Sequence, residues 1–288
     1  MTTCIAAITG RTGLDYRPDA IVTASDTRAS FGGGDYSADG SVKLHMFHKD
    51  WGALIAGAPE QYVYVINRAK ALLRGKSGDL DTVTRAFKKA YQDQVREVVT
   101  DEFLSRFDYT LGDFKRRGSV QLPPQIFAQI SAEIKAYKLG CTFLVYGFDD
   151  KEIAHIFTVR SPGKVDNFDK PGFWAVGNGA SAALIMLSAL KQVRGRTTIA
   201  ETVYNVLASK YFSEKASDVG PETSLWLQMR GTRGFSTKKD LELDIRKIWD
   251  EEGMPKTSAN AVEKIKHGEW KFTMRTKRSK LRMSLDWL

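Results

Sequence analysis

Apolar and polar positions change their period several times along the chain, and each change predicts an element. Thr2–Thr9 is an apolar, β-prone run and predicts a strand. Gly10 to Asp19 is rich in turn formers, and Ala20–Ser25 predicts a second strand, hairpin-paired with the first. Asp26-Thr27-Arg28 closes it. Phe31 to Gly40 holds four glycines (Gly32, Gly33, Gly34, Gly40) and no continuous apolar run, which predicts a crossing loop. Ser41–Phe47 alternates, with Val42, Leu44 and Met46 on one side and Lys43 and His45 on the other, the period of a strand. Trp51–Ala56 is a short apolar strand.

The period then lengthens. Pro59 suits the first turn of a helix, and Tyr62, Ile66, Ala69 and Leu73 give it an apolar stripe. Asp79 or Asp81 can cap a second helix through Phe103, with Val83, Phe87, Tyr91, Val95 and Val98 at helical spacing. Gly112, Gly118 and the basic run at 115–117 predict a loop or short insertion over 107–122. Pro123-Pro124 opens a further amphipathic helix through Lys138. Cys141–Phe148 and Glu152–Val159 predict a strand hairpin around Asp149-Asp150-Lys151, and Phe173–Val176 another strand.

Ala180–Val193 is a nearly all-apolar helix, which predicts burial all round. Thr197 or Thr198 can cap the next helix, through Lys215, with Glu201 at capping-box spacing from Thr198. Ser224–Met229 and Gly234–Phe235 predict strands, Leu241, Ile245, Ile248 and Trp249 a helix, and Pro255–Ala261 a linker. Trp270, Phe272 and Trp287 punctuate a tail that could dock back on the body. Strands, helices, strands, helices, strands in that order predict an α+β fold, a four-layer αββα sandwich of two antiparallel sheets. The simplest division is one domain over 1–254, with an enlarged helical region at 59–139, and a basic C-terminal extension over 255–288.

Composition removes several function classes. The 288 residues suffice for a sizeable core, and no apolar run reaches membrane-spanning length. The N-terminus lacks the pattern of a secretory signal. Two cysteines, Cys4 and Cys141, imply no disulfide framework and fit a reducing cytoplasm. His45 and His48 fall on opposite sides of their strand, and no metal or cofactor motif is present. Net charge is +9, which changes the picture only at the end of the chain. Lys271, Arg275, Lys277, Arg278, Lys280 and Arg282 stand against Glu269 and Asp286, a pattern commoner in solvated or subunit-contacting tails than in nucleic-acid sites.

The candidate chemistry sits at the very start. With Met1 removed, Thr2 carries a free α-amine and a hydroxyl. An α-amine titrates at about 7.7–8.0, so one residue would supply nucleophile and base. Small residues after Met1 permit its removal, and no propeptide is required. The plain alternative is that Thr2 begins an edge strand. Lys43, if not simply solvent-facing, would lower the pKa of the Thr2 hydroxyl and amine. Asp26 could hold Lys43 charged and oriented. Gly57 follows a buried strand, where a backbone N–H can approach a substrate oxyanion.

Thr2-Thr3-Cys4-Ile5-Ala6, Ala24-Ser25-Asp26-Thr27-Arg28-Ala29-Ser30, Ser41-Val42-Lys43-Leu44-His45, Ala56-Gly57-Ala58 and Gly177-Asn178-Gly179-Ala180-Ser181 stand in a familiar order. Over Thr2 to Phe235 the chain resembles the proteasome β-type N-terminal nucleophile hydrolases, including the bacterial HslV and Anbu-like homologues. The resemblance implies Thr2 as nucleophile, Asp26 and Lys43 as its catalytic partners and Gly57 as the oxyanion glycine. It implies supporting roles for Arg28, Asn178, Gly179 and Asp218. Two positions depart from the family. Asn178 stands where a serine is common, and Pro221 replaces the serine of a second acid–serine segment, with Thr223 nearby.

The resemblance implies a threonine peptidase acting on peptides or unfolded proteins, assembled as a homo-oligomeric ring that an ATP-dependent unfoldase could feed. It implies no cofactor. An amidase acting on a small amide would use the same atoms. A structural or assembly subunit with impaired catalysis fits the losses at Asn178 and Pro221.

Overall fold

The computed structural model describes residues 2–10, 20–31, 36–38, 43–57, 59–216, 219–231, 234–237, 239–252, 259–267, 270–272 and 282–283. In chain order these form strands β1 (Thr3–Ile8), β2 (Ala20–Asp26), β3 (Ala29–Phe31), β4 (Tyr36–Ala38), β5 (Leu44–His48) and β6 (Trp51–Gly57). Helices α1 (Pro59–Leu73), α2 (Leu80–Val99), α3 (Leu111–Gln121) and α4 (Pro124–Ala136) follow. Strands β7 (Cys141–Phe148), β8 (Ala154–Arg160), β9 (Lys164–Asn167) and β10 (Phe173–Gly177) precede helices α5 (Ala180–Ala189) and α6 (Ile199–Ser213). The chain then forms β11 (Thr223–Met229), β12 (Phe235–Thr237), α7 (Lys239–Glu252), α8 (Ala259–Lys266), β13 (Trp270–Phe272) and β14 (Arg282–Met283).

Among the described residues, one antiparallel sheet runs β10-β1-β2-β11-β12-β13-β14 and the other β5-β6-β7-β8-β9. Strand alternation makes three apolar layers of them. Cys4, Ala6 and Ile8 of β1 meet Leu54, Leu144, Tyr146 and Ile156 between the sheets. Ile5 and Ala7 point the other way, onto Val203, Leu207 and Leu187 of the α5–α6 layer. On the far side, Phe143, Val145 and Phe157 pack against Val65, Phe87 and Tyr91 of α1 and α2. The result is the four-layer αββα sandwich.

The capping chemistry is as the pattern required. Asp79, the nearer of the two candidates, caps α2 by accepting from Thr82 N–H. Thr198 and Glu201 close a reciprocal capping box on α6.

Several expectations are corrected. Residues 111–121, expected as loop, are helical: Thr110 accepts from Asp113 N–H at the N-cap. Gly118 lets α3 lie against Phe127, since a Cβ there would stand 3.1 Å from that ring. Here glycine marks close packing rather than a break. The expected crossing loop over 31–40 includes a small ribbon, β3 paired with β4. Strand β9 had no apolar signal to reveal it; it is an edge strand with no buried residue. The apolar helix α5 is shorter than expected and buried on one face only, with Ile185 65% exposed. The segment expected as linker ends earlier, because α8 begins at Ala259; α8 packs against α6 and α7.

Helices α3 and α4 and the end of α2 gather their own small core of Val99, Leu104, Phe114 and Ile130.

Candidate active site

The site lies where the strands that open the chain end. Antiparallel pairing of β1 and β2 places the start of one beside the finish of the other, so Thr2 and Asp26 become neighbours. The Asp26 carboxylate accepts the Thr3 N–H through Oδ1 at 2.8 Å and the Gly220 N–H through Oδ2 at 3.4 Å. Two backbone donors on one fully buried carboxylate fix its orientation.

Lys43 arrives from the opposite sheet. It stands just before β5, and its carbonyl accepts the Ile55 N–H of β6 at 3.1 Å. Its Nζ lies 2.9 Å from Asp26 Oδ1 and donates to Thr2 Oγ1 at 2.6 Å. Lys43 is 7% exposed, Thr2 8% and Asp26 0%. A buried ammonium needs a counter-charge, and Asp26 supplies it. The second bond goes to a neutral hydroxyl. A lysine placed this way stabilises negative charge on Oγ1.

The turn after β10 is pressed against the same backbone. Gly179 N–H donates to the Thr2 carbonyl at 3.4 Å. Gly177 has φ +97°, and a Cβ on it would fall 2.0 Å from the Thr2 carbonyl oxygen. Only glycine fits this approach. Asn178, between them, is exposed. Gly57 ends β6 with φ +118°, two residues beyond the strand position bonded to Lys43. A Cβ there would overlap the Gly140 carbonyl oxygen. Arg28 packs its stem on Gly220, whose added Cβ would lie 2.8 Å from that of Arg28. Asp218 lies outside the described residues. Thr223 pairs in register with Asp26.

Cys4, the nearest thiol in sequence, is no competitor as a nucleophile. Burial pushes its pKa up to about 12 despite the Lys43 charge, and its Sγ donates to the Ile55 carbonyl. Among the described residues no cluster of metal-ligating side chains is present. No described helix is long and apolar enough to cross a membrane.

The structure thus gathers Thr2, Asp26 and Lys43 into one hydrogen-bonded group, with Gly177 and Gly179 against the Thr2 backbone. It also adds residues that sequence reasoning missed. Lys210 of α6 is fully buried and donates to the Gly220 carbonyl at 2.8 Å. The signal was present in its spacing. Lys210 falls seven residues after Val203 and three after Leu207, on a helix face that is otherwise apolar.

No family model matches the chain, and no curated protein matches it. Among solved structures, it is similar to a variant of Anbu from Hyphomicrobium sp. strain MC1, with 17% identity and a TM-score of 0.59 over 88% of this chain and 94% of that one. It is also similar to Anbu, an ancestral β-subunit, from Yersinia bercovieri, with 14% identity and a TM-score of 0.58 over 87% of this chain and 94% of that one. At such identities the likeness is one of fold. The chain shares the αββα fold of these Anbu structures.

Proposed function

We propose that the protein is a threonine-type peptidase whose nucleophile is the Thr2 hydroxyl, exposed for catalysis when Met1 is removed. The observation that carries this reading is the Lys43 ammonium, bonded at once to Thr2 Oγ1 and to the buried Asp26 carboxylate. An ammonium donating to a hydroxyl stabilises the negative charge that develops on that oxygen as it gives up its proton.

The steps follow from the atoms. The Thr2 α-amine takes the Oγ1 proton as Oγ1 attacks the substrate carbonyl. Lys43 stabilises the charge that develops on Oγ1, while Asp26 holds Lys43 in place. The Gly57 N–H is assigned to the oxyanion, on the strength of its position at the end of β6. The amine then passes its proton to the leaving nitrogen, the C–N bond breaks and an ester on Thr2 remains. Water, deprotonated by the same amine, hydrolyses the ester and restores the hydroxyl. Arg28, Asn178 and Gly179 are assigned supporting roles around this group, and Asp218 the supporting role its sequence position suggests.

Self-association belongs to the same reading. Val63 and Tyr64 on α1 are 45% and 59% exposed, and Ile185 on α5 is 65% exposed. Apolar surface on two outer helices is suited to subunit contact, and light scattering on the purified protein would give the assembly size.

Turnover of short fluorogenic peptides tests the catalytic reading. Thr2→Ala should abolish it while the circular dichroism spectrum and melting temperature stay near those of the parent. Unchanged turnover in that variant would refute the assignment.

A further inference from the structure

The missed lysine lies under the site and belongs to a second buried ionic group. Lys210 Nζ donates to Glu214 Oε1 one turn later, and to the Gly220 carbonyl at 2.8 Å. Arg246 of α7 grips Glu214 with both guanidinium arms, at 2.6 and 2.7 Å, and donates to the Pro221 carbonyl at 2.7 Å. Its guanidinium lies 3.8 Å above the Tyr211 ring. Two cations sharing one carboxylate therefore hold two successive carbonyls, Gly220 and Pro221. The residue so clamped presents its own N–H to Asp26 Oδ2.

We infer that Lys210, braced by Glu214 and Arg246, is a positioning residue for the Thr2 site: by clamping the Gly220–Pro221 segment it orients Asp26, and it sets a second positive charge behind Lys43. The inference rests on the peptidase reading above. It also gives Pro221 a role. At Pro221, whose side chain has no hydroxyl to offer, the backbone carbonyl is held by Arg246.

The brace is charged throughout: the cations Lys43, Lys210 and Arg246 stand beside the carboxylates Asp26 and Glu214. Burial pushes the Lys210 pKa down, opposed by Glu214, while Arg246 adds to the fall and Asp26 resists it. Glu242 on α7 also faces this group, and burial pushes its pKa up against the pull of Lys239, Lys210 and Arg246. Asp250 lies near enough to act on Arg246.

The sign of the effect follows. A nearby positive charge lowers the proton affinity of every group around Asp26, the Thr2 amine included. Removing it raises that affinity, so the amine must be freed of its proton at higher pH.

The test compares pH profiles of kcat/KM on a short fluorogenic peptide for the parent, Lys210→Met, Arg246→Met and Arg246→Lys. Lys210→Met should lower kcat about tenfold with KM nearly unchanged, as expected for a misplaced catalytic group. Its acid limb should move to higher pH by about half a unit. Arg246→Met should shift the limb the same way by less, and Arg246→Lys should restore it. Arg246 is the more exposed of the two, so its variants decide the matter if Lys210→Met does not fold. Parent-like acid limbs in the folded variants would overturn the inference, whatever their kcat. Thr2→Ala run alongside separates the two claims. Residual parent-level turnover there removes the peptidase reading and this inference with it, whereas a dead Thr2→Ala with unshifted limbs removes the inference alone.

Discussion

Two buried ionic groups invite comparison. One is Thr2–Lys43–Asp26. The other surrounds His155 at the start of β8, where Nδ1 lies 2.7 Å from Asp169 Oδ2 and Nε2 lies 3.4 Å from Asp149 Oδ2, with the imidazole stacked on Trp51. Both hide charge inside the fold. Around His155, Asp169 also accepts from Ile156 N–H and the Asn167 amide, and Asp149 accepts from the Lys151 and Ile153 N–H groups, while His155 Nε2 itself makes no hydrogen bond among the described residues. Its polar capacity goes into tying one hairpin and one turn. The Thr2 group differs in a single respect. One bond of its cation ends on a neutral hydroxyl. Burial of charge alone therefore does not separate the two groups; the hydroxyl bonded to Lys43 does, and the proposed catalytic role rests on it.

The comparison can be broken by substitution. The largest effect is expected at Asp26. Asp26→Asn leaves Lys43 without its counter-charge, so turnover should fall by a factor of about 10³ or more, comparable to losing a triad member. Stability should fall as well, by about 3 kcal/mol for a broken buried pair. Peptide kinetics and urea melts measure the two separately.

Gly177→Ala should come next. It forces a Cβ into the Thr2 carbonyl at a positive φ, which displaces the proposed nucleophile, and about a hundredfold loss of kcat is expected from a shift of order 1 Å. The backbone strain should cost about 1–3 kcal/mol. Parent-level kcat in this variant would mean that Thr2 need not be held where it is.

At the second group the pattern should invert. His155→Gln should leave kcat/KM within about twofold, and should lower stability by about 1–2 kcal/mol, the loss of charge-assisted hydrogen bonds. A large fall in activity with normal stability would put His155 in the machinery and undo the contrast.

The smallest effect is a pH dependence of stability. Burial alone would lower the His155 pKa, but its hydrogen bonds and charge attraction to Asp169 and Asp149 outweigh it, and the folded value is raised. That contribution is full below the unfolded value of about 6.5 and is lost as pH rises through the folded value. Asp169 is opposite in sign. Burial would raise its pKa, yet the bonds from His155, Asn167 and Ile156 bring it down. Its contribution is present above about 3.9 and lost as pH falls through the folded value. Thermal melts should therefore show this part of the stability greatest between about pH 4 and 6.5, and His155→Gln should flatten the alkaline side.

Much of this was legible in the residues themselves. Continuous apolar runs announced β1, β2, β6 and β7, and local caps announced α2 and α6, because those signals lie within a few positions of one another. The Thr2, Asp26 and Lys43 segments were visible in their order, but their contact was not, since it depends on two strands from one sheet and a residue entering the other. Lys210 showed only as a charge on an apolar stripe, and that spacing gains its meaning when α7 supplies Arg246 and the segment before β11 supplies the clamped carbonyls. Residues 111–121 misled for a related reason. Gly118 breaks a helix in isolation and permits one here, where Phe114 and Phe127 need the space. Helix α5 misled in the opposite sense, since its uniform apolarity concealed that Ile185 faces outward.

The central claim, that Thr2 is a nucleophile activated by Lys43, has a direct measurement. Purified protein is treated with a peptide β-lactone, an electrophile that traps an N-terminal hydroxyl nucleophile as an ester, and its intact mass is recorded. The account predicts that Met1 is absent and that one adduct forms per chain on the peptide bearing Thr2, lost in Thr2→Ala and strongly slowed in Lys43→Met. A chain that retains Met1 and takes up no adduct, or one modified equally in Thr2→Ala, would contradict it.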